Sequence, residues 1–433
     1  MNTRFYNAMI LTMSDGLNII KDGQVWIENQ TIIFVGTDNE SENLMNSIDW
    51  DKEIDCENNL LMPGFKDAHT HSPMTCLRSL ADDMPLDEWL HNQVFPIEAT
   101  LTTQNIYDLT KLAVLEYVSG GITAIFDMYI NPEAVGKACI DTGMRCVQVG
   151  SINDFTLTAD YIEKMYLKWN NNNPLISYVL GFHAEYTTSE LILKQIAQLA
   201  KKYKAPVFTH LSETKSEVES CLKRNNMTPT AYLDSLGIFD YGGGGYHCIY
   251  MTDEDIEIFK RKNLTVVTNP ASNLKLASGI APIATYLKKD ILVAIGTDGP
   301  ASNNCLDMFR EMFLVTGLAK YRENDASAVD ANEVLKMATL NGAYAMGLTN
   351  ADTLEKGKLA DLIMIDLNQP NMQPINNITK NIVYSGNKQN VKLTMINGKI
   401  LYENGNFYIG EEPQNIYKKA NELVEKFAFL TKK

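Results

Sequence analysis

Apolar residues fall along this chain in two textures. Near the start, Gly23-Gln24-Val25-Trp26-Ile27 and Thr31-Ile32-Ile33-Phe34-Val35-Gly36 are short apolar segments bounded by Gly and Asp-Gly turns, which predict small twisted strands. The texture returns late in the chain, in residues 360–366 and 391–398. Neither end carries enough strand to close a core alone. Residues 1–60 and 359–433 are therefore expected to join into one small β-sandwich. A run of helical periodicity from Asn415 to Phe427 predicts a final helix packed on the outside.

Residues 61–358 read differently. Eight short apolar runs centre on Leu60–Met62, Ile122–Phe126, Met144–Val149, Ile176–Leu180, Pro206–Thr209, Gly245–Cys248, Leu264–Thr268 and Ile291–Ile295. Between them lie amphipathic helical patterns such as Ser189–Tyr203 and Asp253–Lys262. Strands alternating with helices predict parallel β/α units, and eight of them predict an α/β fold of the TIM-like (β/α)8 barrel type. The polar tract Asn170–Asn173 and the glycine tract Gly242–Gly245 read as surface turns.

Composition narrows the class. With 433 residues, 45% hydrophobic and 21% charged, the chain can bury a core of barrel size. A net charge of -15 argues against a nucleic-acid polymer as partner, because a phosphate backbone calls for a basic footprint. No run reaches the ~18 apolar residues of a membrane helix, and the opening residues lack a basic region followed by an apolar stretch. The seven cysteines are odd in number, scattered and without a C-x-x-C pair, as in a reducing compartment. The expectation is a cytoplasmic enzyme with a small-molecule substrate. A homodimer or higher homo-oligomer is the ordinary prior.

The histidines carry the chemistry. Of six, five follow the end of an apolar run: His69, His71, His183, His210 and His247; Asp298 follows the eighth run. In a barrel those strand ends converge on the face where barrel enzymes place their sites. One histidine there would more often be a satisfied core residue, but five of six is a pattern. His69 and His71 stand two apart, so their side chains leave a strand on the same side. With His210 and Asp298 they make a set suited to Zn²⁺, or to Fe²⁺ or Mn²⁺, with a position open for water.

An open divalent site makes hydroxide available near neutral pH. Glu213, three residues after His210, can carry a proton to a substrate ring nitrogen. The bland alternative is a solvated glutamate at a helix start. His247 either polarises the hydroxide or is a fourth ligand; the sequence leaves both open.

At these residues the chain resembles the amidohydrolase superfamily, and within it the 5′-methylthioadenosine/S-adenosylhomocysteine deaminases. The anchors are the segments 62–71, Asp87-Glu88-Trp89-Leu90 leading to Pro96-Ile97-Glu98, Thr209-His210-Leu211-Ser212-Glu213-Thr214, His247-Cys248, 269–276 and 296–304. The resemblance implies one divalent ion held by His69, His71, His210 and Asp298. It implies Asp298 as the acceptor of the nucleophile's proton, Glu213 as shuttle and His247 as the group that orients the hydroxide. It also implies substrate contacts at Glu98, Arg145, His183, Glu213 and Asp298. The reaction implied is hydrolytic deamination of methylthioadenosine, S-adenosylhomocysteine or adenosine.

The chain departs from the family at Glu185 in His183-Ala184-Glu185-Tyr186, at Tyr250 and at Thr268, and segment 151–161 holds no second arginine. These departures bear on the substrate and leave the hydrolytic centre whole. The alternative is a related enzyme acting on guanine, 8-oxoguanine or a triazine. A catalytically silent barrel that only binds a ligand is the third reading, and its sign, loss of a ligand residue or of Glu213, is missing.

Overall fold

The computed structural model describes all residues except 15–16, 43–47, 81, 85, 172 and 428–433, and only the backbone of 86 and 87. The Asp87 side chain of the quoted motif and Asn172 of the polar tract thus lie outside the described residues.

Eight parallel strands form the barrel: Phe65–Thr70, Ile122–Met128, Arg145–Val149, Ile176–Ala184, Val207–Leu211, Gly243–His247, Thr265–Thr268 and Val293–Ile295, in chain order around the sheet. Helices such as Thr103–Ser119, Glu190–Tyr203 and Asp253–Lys262 connect them. The barrel is filled by Ala68, Ala124, Phe126, Val147, Phe208 and Tyr246, so it is a packed core and not a pore. The first and eighth strands meet at a seam held by polar groups. The Asp67 carboxylate accepts from Thr297 N at 2.8 Å and Thr297 Oγ1 at 2.6 Å, and His69 O accepts from Asp298 N at 2.8 Å.

A second, nine-stranded sheet takes strands from both ends of the chain, Asn2–Leu11, Ile19–Glu28, Thr31–Thr37 and Lys52–Asp55 on one side and Leu362–Ile365, Val391–Ile396, Lys399–Glu403 and Asn406–Phe407 on the other. Strand Leu60–Pro63 joins the two sets, pairing in parallel with the first strand and antiparallel with Leu362–Ile365. The run at Leu60–Met62 is therefore not the first barrel strand. That strand is Phe65–Thr70, which carries Lys66, Asp67, His69 and Thr70 fully buried and so lacks an apolar signature. Gly64 makes the break, since a Cβ there would lie 2.1 Å from Thr123 Cγ2.

The glycine tract is corrected too. Gly243–Gly245 open the sixth barrel strand, where a Cβ on Gly243 would meet Val207 O at 1.9 Å. The final helix, Pro413–Phe427, packs mainly on helix Thr103–Ser119 and on residues 72–77, and its Ala420, Leu423 and Phe427 join one apolar cluster with Cys76, Leu77, Trp89, Val94 and Ile97. It thus braces the segment after the first barrel strand.

Candidate metal centre and active site

The strand ends deliver their side chains to one point. His69 lies within the first strand and His71 just beyond it, His210 in the fifth, and Asp298 three residues after the eighth. His69 Nε2 is 3.2 Å from His210 Nε2 and 3.5 Å from Asp298 Oδ1. His71 Nε2 is 3.4 Å from His210 Nε2 and 3.2 Å from Asp298 Oδ1. Four ligands around one tetrahedral ion at metal–nitrogen distances near 2.0–2.1 Å stand about 3.3 Å apart, so these separations fit an ion in the middle.

The tautomers fit as well. His71 Nδ1 donates to Met128 O at 2.6 Å, and His210 Nδ1 donates to His183 O at 2.7 Å. With Nδ1 of each ring so occupied, the two Nε2 atoms face each other, the orientation in which both would ligate a divalent ion placed between them. The His69 ring is steadied by stacking on Tyr246, with centroids 3.7 Å apart.

His247 stands to one side. It shares a 4.8 Å cluster with His69, His210 and Asp298, yet its Nε2 lies 4.0 Å from Asp298 Oδ2 and 3.7 Å from Glu213 Oε2, outside the tighter set. Its Nδ1 donates to Asn273 Oδ1 at 2.7 Å. Asp298 Oδ2 accepts from Ser272 Oγ at 2.6 Å and Ser302 Oγ at 3.0 Å. Burial pushes its carboxyl up, but hydrogen bonds to His69 and His71 outweigh this and hold it well below the ordinary range.

Glu213 is no solvated helix-start residue: it is 7% exposed, and the helix that follows is capped by Thr214. Its position comes from Glu217, whose carboxylate accepts from Ser212 N and Glu213 N, both at 2.8 Å. Burial pushes the Glu213 carboxyl up, with His247 opposing. Ser212, His247, Cys248 and Asp298 all have left-handed φ, between 47° and 69°. Such backbone strain at strand ends is typical of functional sites.

The amidohydrolase family profile matches residues 60–401. The chain belongs to the amidohydrolase family. It is 36% identical, over 98% of its length and 100% of the relative's, to a 5-methylthioadenosine/S-adenosylhomocysteine deaminase of Thermoanaerobacter pseudethanolicus. It is 38% identical to a 5′-deoxyadenosine deaminase of Methanobrevibacter smithii, over 98% of each chain. Among solved structures, an adenosine deaminase from Xanthomonas campestris with bound zinc superposes with a TM-score of 0.93, at 29% identity and covering 99% of this chain and 98% of that one.

In this amidohydrolase the expected substrate contacts divide. Two of them lie by the site: the His183 ring centroid is 5.0 Å from that of His210, and Glu98 is near enough to feel the charge of His71. His183 Nδ1 is engaged by Thr187 Oγ1 at 2.9 Å, which leaves Nε2 available, and burial depresses the ring's pKa to about 4.

Arg145 does not belong with them. It begins the third strand, at the opposite end of the barrel, is 2% exposed, and makes a bidentate pair with Asp361 at 2.5 and 2.9 Å. Its third bond goes to Pro174 O. It holds the barrel to the terminal sheet and cannot reach a ligand at the metal centre.

Glu185 is likewise structural, turned to Arg224 Nη2 and Asn225 Nδ2. The sequence reading missed the supporting groups Asn273, Ser272, Ser302 and Glu217. All but Glu217 stand in motifs already singled out; Glu217 sits in an ordinary amphipathic helix.

Proposed function

We propose that this chain is a metal-dependent hydrolase of C–N bonds that deaminates an adenine nucleoside or its thioether, releasing ammonia. The observation that carries it is the set of His69, His71, His210 and Asp298, whose facing atoms approach to 3.2–3.5 Å, with His247 beside Asp298 and Glu213 beside His247. The names of the relatives matched along their whole length favour this over guanine, 8-oxoguanine or triazine chemistry.

His69, His71, His210 and Asp298 would hold the ion, and Zn²⁺ suits three imidazoles and a carboxylate. Bound there, a divalent ion supplies Lewis acidity and acidifies water toward neutrality. Asp298 takes the proton of the attacking water while Ser272 and Ser302 keep its other oxygen in place. His247, its Nδ1 held by Asn273, turns Nε2 toward the attacking oxygen and orients it. Glu213, whose carboxyl burial pushes up, gives a proton to a ring nitrogen and recovers one from the attacking oxygen, while the proton taken by Asp298 passes to the amino group, which leaves as ammonia. Glu98 accepts from the ribose hydroxyls, and His183 meets the substrate through Nε2.

The test is ammonia release by zinc-loaded protein from methylthioadenosine, S-adenosylhomocysteine, 5′-deoxyadenosine, adenosine, guanine, 8-oxoguanine and cytosine. Turnover of the adenine nucleosides is expected. Turnover of a free base alone would move the enzyme to the alternative class, and silence across the panel would overturn the deaminase reading.

A further inference from the structure

His71 stands where the chain turns out of the first barrel strand. That strand ends at Thr70, and a short helical turn, Ser72–Leu77, begins directly after His71. The ladder of the sheet no longer holds the ligand there, and side chains take over. From the second strand, Met128 O accepts from His71 Nδ1 at 2.6 Å, and the Asp127 carboxylate accepts from Ser72 N at 2.8 Å and from Ser72 Oγ. On the other side of His71, Thr70 Oγ1 donates to Asp298 O at 3.1 Å. Each hydroxyl has one proton to give, so toward any further partner both oxygens accept.

The group that meets them comes from outside the barrel. Tyr117, on helix Thr103–Ser119, is wholly buried, and its Oη lies 2.8 Å from Thr70 Oγ1 and 3.0 Å from Ser72 Oγ. Burial pushes its phenol well above the ordinary range, so the proton stays on the oxygen. One donor shared between two acceptors is a three-centre bond, and here it spans the residues on either side of a metal ligand. We infer that Tyr117 is a positioning residue for the metal centre, whose phenol proton ties Thr70 to Ser72 and so fixes where His71 presents Nε2 to a bound ion. It touches neither the ion nor the substrate and acts through the backbone of His71. Losing a partner that orients a metal ligand lowers metal affinity by about 10- to 100-fold.

The inference rests on the reading of His71 as a metal ligand. The experiment is the zinc affinity of the full chain, measured by competition with a chromophoric chelator, for the wild type, Tyr117→Phe, Thr70→Val and the double variant. Tyr117→Phe keeps the ring and loses only the bridging proton. Its zinc dissociation constant is expected to rise by about 10- to 100-fold, and saturating zinc should return its turnover to near the wild-type value. Thr70→Val should move the constant in the same direction. The double variant should move it by less than the product of the two single effects, because both changes break one bridge. A hydroxyl that served the fold alone would lower the Tm of the metal-free protein and leave the zinc constant where it was, and that result overturns the inference. Fully multiplicative effects of the two changes would overturn it as well. If the wild type itself fails to hold zinc against the chelator, the metal centre is misread and Tyr117 falls with it.

Discussion

Asn273 Oδ1 accepts a hydrogen bond from His247 Nδ1 at 2.7 Å, and this one contact decides which nitrogen of His247 faces Asp298 and Glu213. Replacing Asn273 by Ala frees the ring to turn and to take the other tautomer. The expected result is a fall in kcat of about 10- to 100-fold, the usual cost of losing such a supporting bond, with metal content unchanged. Kinetics and metal analysis on one preparation check this. A parallel fall in metal content would make His247 a ligand.

Glu213→Gln keeps the size of the side chain and removes its proton transfer. Loss of kcat by about 10²- to 10⁴-fold is expected, with metal still bound, because the carboxylate stands beside His247 and not in the ligand set. Stopped assays for ammonia with metal analysis test it.

Chelation should abolish activity and leave the fold standing. The cores of the barrel and of the terminal sheet are apolar clusters that do not depend on the ion. Circular dichroism of the stripped protein should retain the native signal, and His71→Ala should lose metal in the same way. Unfolding on chelation would show the ion to be a structural staple.

Arg145 and Asp361 give a stability prediction and not a kinetic one. Breaking this buried pair by Arg145→Ala leaves a charge without compensation, at a cost of about 3–5 kcal/mol. KM of the remaining folded enzyme should stay as it was. Burial works against the Asp361 carboxylate, but Arg145 more than offsets it and holds the carboxyl below its ordinary value. The pair's stabilisation is then full above the unfolded-state pKa of about 3.9 and is lost as pH falls through the lower folded value. Urea unfolding of the wild type and of Asp361→Asn across the acid range should show that slope in the first and a flatter one in the second.

Leu423 and Phe427 of the final helix share an apolar cluster with Trp89, Val94 and Ile97, in the segment that carries Glu98. Phe427→Ala should loosen that segment, at about 3–5 kcal/mol of local packing, and raise KM for ribosides more than it lowers kcat. Hydrogen exchange of residues 89–98 would report the loosening directly.

What the sequence determined by itself was the chemistry and the class of fold. Histidines at the ends of apolar runs are legible because strand ends in a barrel converge, whatever the details of packing. His69, His71, His210 and Asp298 accordingly meet at 3.2–3.5 Å. The tertiary structure alone decided matters that depend on distant partners. Arg145 looked like a substrate contact until Asp361, 216 residues away, claimed it. The first barrel strand was hidden because Lys66, Asp67 and His69 are buried polar residues, and the neighbouring strand and the seam with Thr297 supply partners to Lys66 and Asp67. The ring orientations of His71 and His210 were set by carbonyls of other strands. A motif records which side chains are present; the hydrogen bonds that orient them form only when remote segments are brought together.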